Sequence, residues 1–134
     1  MTLPPLPTLH KHKERDFTAL FKAWLLKNPM DSACFELKQC ERSLPFSAVK
    51  PHQILALLSA KGEGLIYKIG DDSRGLKPCD LVYFREAYAY VVIKYNTLFV
   101  VIDVEDFIVE KKRSRRKSLL KSRACEIAVE VVQV

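Results

Sequence analysis

Glycine is scarce in this chain, four among 134 residues, and no glycine-rich turn leads into a helix. Such turns are what cradle nucleotide phosphates, so dependence on ATP or a dinucleotide has no support. Four cysteines, Cys34, Cys40, Cys79 and Cys125, form no CxxC pair, and with only three histidines, His10, His12 and His52, they make no zinc-ligand spacing. Reduced, mostly structural thiols are expected. No apolar run approaches the roughly 20 residues that a membrane helix needs. The opening stretch MTLPPLPTLHKHKERD has prolines where a secretory leader would be apolar. The expectation is an intracellular protein. Internal repeats are absent, and the only biased tract is one basic run.

What remains is ample material for a core. Hydrophobic residues make up 49% and charged residues 28%, with seven Phe and five Tyr, and the mean hydropathy is −0.04. A chain of this length suits one domain, here 13–134, behind a flexible proline-rich arm at 1–12.

The charge is unevenly placed. The formal net charge is +6, and the segment KKRSRRKSLLKSR carries Lys111, Lys112, Arg113, Arg115, Arg116, Lys117, Lys121 and Arg123 with no acid among them. Taking those eight from +6 leaves −2 for the rest. A local run of this density is the footprint of contact with a polyanion such as DNA, whose binding gains from counterion release. Basic runs also serve as solvated tails. This one lies between a strand-like and a helix-like segment, which favours the nucleic-acid reading. A weaker set is Lys11, Lys13, Arg15, Lys22 and Lys27.

Periodicity supplies the elements. From Glu14 to Lys27, Phe17, Leu20, Phe21, Trp24 and Leu25 fall on one face of an amphipathic helix that Asn28-Pro29 ends. These aromatics read as core. Ala33 to Lys38 reads as a strand with Cys34, Glu36 and Lys38 on one side and Phe35 and Leu37 on the other. A loop, Gln39 to Pro45, leads to a second helix beginning near Lys50, with Pro51 in its first turn and Gly62 and Gly64 closing it. Strands are expected at Leu65–Ile69, Asp80–Arg85, Tyr88–Tyr95 and Leu98–Val104, the tyrosines serving sheet packing. Asp106 to Val109 is either a helical turn or a strand end. Lys117 to Ala128 reads as a third helix, and the terminal VEVVQV is ambiguous. The pattern predicts an α/β (α+β) fold with a central mixed β-sheet flanked by helices.

The chemistry-bearing unit is Glu36-Leu37-Lys38. Two apart on a strand, Glu36 and Lys38 project to the same side, so a carboxylate able to hold Mg²⁺ sits beside an ammonium able to steady developing negative charge. Phosphodiester hydrolysis uses that pairing. A divalent cation wants further oxygen ligands, and Asp80, in Lys77-Pro78-Cys79-Asp80, is the foremost candidate, with Asp71 and Asp72 as alternatives. Gln53 lies on the following helix, Arg74 and Lys77 flank Asp80 as candidate phosphate contacts, and His52 reads as structural.

The stretch FELKQCERSLPFSAVKPHQILAL resembles the core of the PD-(D/E)XK nuclease superfamily, and is most similar to Holliday-junction resolvases and resolvase-like phage proteins. The resemblance covers Ala33 to Leu58 well and Lys77 to Val104 more loosely. It implies a restriction-endonuclease-like fold and a structure-selective DNA endonuclease, dependent on Mg²⁺ with Mn²⁺ as substitute. Glu36 and the Leu37 carbonyl would be metal ligands, Lys38 the catalytic lysine and Gln53 a supporting polar residue. A homodimer would make paired cuts in branched DNA, within a bacterial cytoplasm or a phage-infected host. In the family the Pro-Asp element precedes E-x-K. Here only Pro29-Met30-Asp31 precedes it, so the second carboxylate would come from Asp80 on a later strand. Lys111, Lys112, Arg113, Arg115, Arg116 and Lys117 would contact nucleic acid. Two other readings stay open: a catalytically inactive DNA-binding protein of the same fold, and a basic adaptor for an acidic partner.

Overall fold

A computed structural model describes residues 13–70, 79–85 and 87–134. The expected arm at 1–12 and the loop residues Asp71, Asp72, Arg74 and Lys77 lie outside them.

Helix α1 (Lys13–Lys27) matches its periodicity, and Asn28 ends it by donating from both its backbone and side-chain nitrogens to the Trp24 carbonyl. Strand β1 (Ala33–Gln39) follows. The stretch up to Pro45, expected to be loop throughout, contains a short strand, β2 (Ser43–Pro45), and then a 3-10 turn at Phe46–Ala48. Three residues are too few to carry a period, so only a partner elsewhere in the chain makes them a strand.

Helix α2 (Pro51–Glu63) has its proline at the first helical position, where the missing N–H costs nothing. Gly64 closes it at φ 85°, and a Cβ there would collide with the carbonyls of Phe84 and Arg85. Glycine is therefore required twice over, by backbone conformation and by close approach. Strands β3 (Leu65–Lys68) and β4 (Leu81–Phe84) form an antiparallel hairpin rooted at that contact. Strands β5 (Tyr88–Lys94) and β6 (Leu98–Asp103) come next, and helix α3 (Val104–Arg113) settles the Asp106 to Val109 segment as helical. Asp103 caps α3 by accepting from the Glu105 N–H at 2.9 Å.

The expected third helix is split. Ser118–Leu120 is strand β7, paired antiparallel with β2, and only Lys121–Ile127 is helical, as α4. Leu119 and Leu120 share a helical face with Ala124 and Ile127 on paper, but β2 offers Leu119 a ladder and a buried place opposite Leu44. Tertiary pairing overrides the local period. Strand β8 (Glu130–Gln133) resolves the chain's last segment.

The result is a mixed α+β fold. A four-stranded sheet has the order β1-β5-β6-β8, with β1 parallel to β5 and the other pairs antiparallel; β2–β7 and β3–β4 are separate two-stranded sheets. Val91, Val92, Ile93, Val100, Val101 and Ile102 in the central pair are fully buried. Their unbroken apolar runs follow from cover on both faces, and each such side chain contributes roughly 1.5–3 kcal/mol.

On one face, Phe17 and Phe21 of α1, with Trp24 and Leu25, pack on Phe35, Leu37, Tyr90, Val92, Phe99 and Val101. The aromatics of α1 are core, as expected: Phe21 meets Phe35 edge-on at 4.8 Å, and Trp24 meets Phe99 at 5.4 Å. On the other face, Leu57 of α2, Phe107 of α3 and Ala124 of α4 cover Ala89, Val91, Ile93, Val100 and Ile102. Tyr95 is wholly buried and donates its hydroxyl to the Leu119 carbonyl at 2.8 Å, tying β7 to the main sheet. Tyr88 stacks on Tyr90 at 6.1 Å, so these serve sheet packing as expected, whereas Tyr83 stands 66% exposed and does not. No helix among the described residues is long and apolar enough to cross a membrane.

The two glycines of α2's end should respond oppositely. Gly64→Ala is expected to cost more than about 1 kcal/mol through its positive φ alone. Gly62→Ala, whose added methyl meets open space inside the helix, should gain about 0.5–1 kcal/mol. Urea unfolding of both variants checks this; equal signs would mean the helix end is not built on Gly64.

Candidate functional site

The pair at the centre of β1 is built by strand parity. Glu36 stands opposite Val91 and Lys38 opposite Ile93, on the face that α2, α3 and α4 cover, while Phe35 and Leu37 go to the α1 face. Lys38 Nζ lies 3.4 Å from Glu36 Oε1, both side chains half-buried. Two charged groups interrupt an otherwise apolar layer, and each is the other's partner. Burial of this depth weakens screening without removing water.

β1 is an edge strand, and its hydrogen-bond parity matters. Tyr88 N–H donates to the Ser32 carbonyl and Cys40 N–H to the Lys94 carbonyl, at 3.0 and 2.9 Å. Even-numbered residues thus face β5 with their backbone groups, and Leu37 turns its N–H and C=O toward the open edge. A carboxylate on one face of β1 and a carbonyl at its edge thus come from consecutive residues, Glu36 and Leu37.

The other expected site residues are distributed less compactly. Gln53, in the first turn of α2, accepts the Lys50 N–H on its Oε1 at 2.9 Å; it caps the helix that follows the motif. Asp80 immediately precedes β4, its carbonyl accepting from Ile69 N–H at the far end of the hairpin from Gly64. Asp80 is expected to bring its carboxylate from a later strand, but that strand, β4, pairs with β3 in a separate sheet and not with β1. Among the described residues, no three His, Cys, Asp or Glu side chains come together as a metal-ligand group. His52 is exposed at the start of α2.

The basic run is sorted by the fold. Lys111, Lys112 and Arg113 form the last turn of α3, where cations suit the helix dipole. Arg115, Arg116 and Lys117 occupy the turn before β7, where Ser114 Oγ accepts the Arg116 N–H at 3.1 Å. All six are exposed, and none forms an ion pair with a described residue. Arg123 behaves otherwise. Its Nε and Nη2 reach both oxygens of Glu110 at 3.0 Å, and its Nη1 reaches Glu126 at 2.7 Å. These partners, the Glu110 hydrogen bond foremost, hold the guanidinium's pKa above its ordinary value. Glu110, only 7% exposed, is the buried charge that sequence reading missed. No local signal marks it, because its partner lies across the whole basic turn.

A second charged cluster lies at the opposite end of the sheet. Lys61 of α2 meets both oxygens of Asp103 at 3.0 Å and Glu105 at 3.5 Å. Burial, the largest single influence, would lower the lysine's pKa, but the hydrogen bonds and negative charges of Asp103 and Glu105 together outweigh it and raise it. This cluster ties the end of α2 to the start of α3 and is structural.

All four cysteines are free: Cys34, Cys40 and Cys125 are half-buried and Cys79 is exposed. Burial raises the Cys34 thiol and pushes Cys40 up to about 11. No protein-family model matches the sequence, and no curated protein matches it either.

Two outcomes follow from the thiols. At pH 8 iodoacetamide should modify Cys79 first and leave Cys40 unmodified in the folded protein, as read by peptide mass mapping. Because the unfolded Cys40 thiol ionises near 9 and the folded one about 11, unfolding releases its proton between those values. Stability contributed by the neutral thiol is therefore full below pH 9 and declines as pH rises toward 11. Tyr95, raised by burial, adds to the decline. Thermal melts of wild type and Cys40→Ser should show a shallower alkaline slope in the variant; identical slopes would remove Cys40 from the account.

Proposed function

We propose that this protein is a metal-dependent DNA endonuclease of the PD-(D/E)XK type, with a restriction-endonuclease-like core and a preference for branched DNA. The observation that carries the reading is the Glu36–Lys38 pair, 3.4 Å apart on an edge strand. Beside it the Leu37 carbonyl faces the open edge, and an unpaired cationic surface begins where β1 ends.

The donor chemistry suits a hard cation. Carboxylate and carbonyl oxygens are what Mg²⁺ takes, and it commonly binds through one or two carboxylates plus substrate phosphate, keeping several waters. Glu36 and the Leu37 carbonyl would supply two protein oxygens, and Asp80, whose strand pairs with β3 and not with β1, would be the second carboxylate. The β3–β4 hairpin is rooted near the start of β5, whose Tyr88 pairs with Ala33. From Phe84 back to Asp80 is about 13 Å at strand rise, as is Ala33 to Leu37. The hairpin forms its own two-stranded sheet, so Asp80 reaches the open edge of β1 only if the hairpin moves there.

A bound Mg²⁺ would supply Lewis-acid polarisation of the phosphodiester and an acidified water. The chain's own residues do the rest. Glu36 and Asp80 would hold the cation, and Lys38 would donate to the phosphate oxygen on which charge develops. Gln53 steadies the start of α2 by accepting the Lys50 N–H. The exposed cations at 111–117 orient the strand to be cut. A four-way junction has approximate two-fold symmetry, so two copies make the paired cuts.

The test is cleavage of labelled four-way junction, fork and linear duplex DNA in Mg²⁺ or EDTA. Wild type should cut the junction first and only with metal. Glu36→Gln, Lys38→Ala and Asp80→Asn should bind but lose at least about 100-fold in turnover. Wild type that binds every substrate and cuts none would replace this reading with a non-catalytic DNA-binding protein. Sizing chromatography should give a dimer.

A further inference from the structure

Two strips of positive charge, separate in sequence, are joined by the β2–β7 ladder. Its register sets Ser43 opposite Leu120 and Pro45 opposite Ser118. The hydrogen bonds continue past both ends: Lys121 N–H donates to the Arg42 carbonyl at 3.3 Å, and Phe46 N–H to the Lys117 carbonyl at 3.0 Å. Arg42 therefore sits directly across from Lys121. Lys50 follows four residues after Phe46, at the start of α2.

Like charges directly opposite on paired strands repel and destabilise the ladder. Arg42, Lys50, Lys117 and Lys121 are all exposed, and none has an ion-pair partner among the described residues. Glu41, beside Arg42, pairs with neither arginine nor lysine there. Three cations have ion-pair partners, Lys61 with Asp103 and Glu105, Lys38 with Glu36, and Arg123 with Glu110 and Glu126, while Lys22, Lys27, Lys68, Arg85 and Lys94 also have none among the described residues. What sets this place apart is that the register brings unpaired cations from separate segments directly opposite one another, an arrangement that suits an external anion.

We infer that Arg42, Lys50 and Lys121 extend the cationic run at 111–117 into one phosphate-binding surface, and that duplex DNA lies along it toward Glu36 and Lys38. The surface rests on the DNA substrate proposed above and names how that substrate is held. Arg42 is four residues beyond Lys38, at most about 14 Å along the chain, so the strip runs from the basic turn to the candidate catalytic strand. Arg123 is not part of it. Although it belongs to the same run in sequence, its guanidinium closes the segment from Glu110 onto α4 and keeps the basic turn in place.

The experiment is fluorescence anisotropy of a labelled duplex over a KCl series with EDTA present, which separates binding from cutting. Arg42→Ala with Lys121→Ala should lower affinity at least about tenfold at low salt and reduce the slope of log K against log salt by about 1.8, near 0.9 per lost phosphate contact. Lys50→Ala should reduce it by about 0.9. The matched control is Lys22→Ala with Lys27→Ala, which removes equal charge from exposed positions on α1, across the sheet; its slope should equal the wild type's. Thermal melts show that each variant folds. A wild-type slope in the Arg42/Lys121 variant, or the same loss in the α1 control, overturns the surface. Displacement of DNA by polyglutamate at matched charge assigns the surface to an acidic protein and overturns it too. Wild type that binds here and never cuts in Mg²⁺ removes the nuclease reading while the surface stands.

Discussion

Strands β1 and β5 lie far apart in the sequence yet run parallel and in register over Ala33–Gln39 and Tyr88–Lys94. A parallel pair cannot be closed by a tight turn, so the chain must cross over between them, and α2 is the crossing element. That requirement places α2 on one sheet face with its start near the end of β1. It leaves α1 to cover the other face. It also leaves β1 at the edge, since β5 takes β6 on its far side. The candidate site is a consequence: β1 has one neighbour among the described residues, which leaves a row of its backbone groups unpaired there, and Leu37 is in it.

The two ends of the sheet are treated differently by charge. Where β1 begins, Lys61, Asp103 and Glu105 neutralise one another and lock α2 to α3. Where β1 ends, cations from three segments gather without ion-pair partners among the described residues: the last turn of α3, the turn before β7, and the stretch around β2. Arg123 and Glu110 explain how this repelling group is held, because a bidentate pair with one member buried fastens the basic segment at both its ends. One end of the molecule is internally satisfied, and the other is directed outward.

Much of this was legible. The helical face of Phe17, Phe21 and Trp24, the strand carrying Glu36 and Lys38, the start of α2 at Pro51 and the apolar runs of β5 and β6 all follow from local pattern. Each segment is long enough to show a period and buries the face its period defines. The misreadings share a cause. β2 and β7 have three residues each, too short for periodicity, and each is a strand only because the other is there. Leu119 and Leu120 were assigned to a helix because nothing local distinguishes a helical face from a strand continued by a helix. Asp80 reads as the carboxylate on a later strand, but which strand it accompanies depends on which edges are free, and its strand pairs with β3.

The sequence by itself determined the α+β class, the position of the core segments, the placement of a carboxylate and an ammonium on one side of a strand, and the concentration of charge at 111–123. Those properties depend on residues close together in the chain, where sterics and side-chain alternation act without help. Only the tertiary structure decided that β1 is an edge strand, that Arg123 turns onto Glu110 while its neighbours stay exposed, and that Arg42 meets Lys121. These depend on pairing between distant segments. Such pairing is set by burial and hydrogen-bond satisfaction over the whole chain, and no local stretch encodes it.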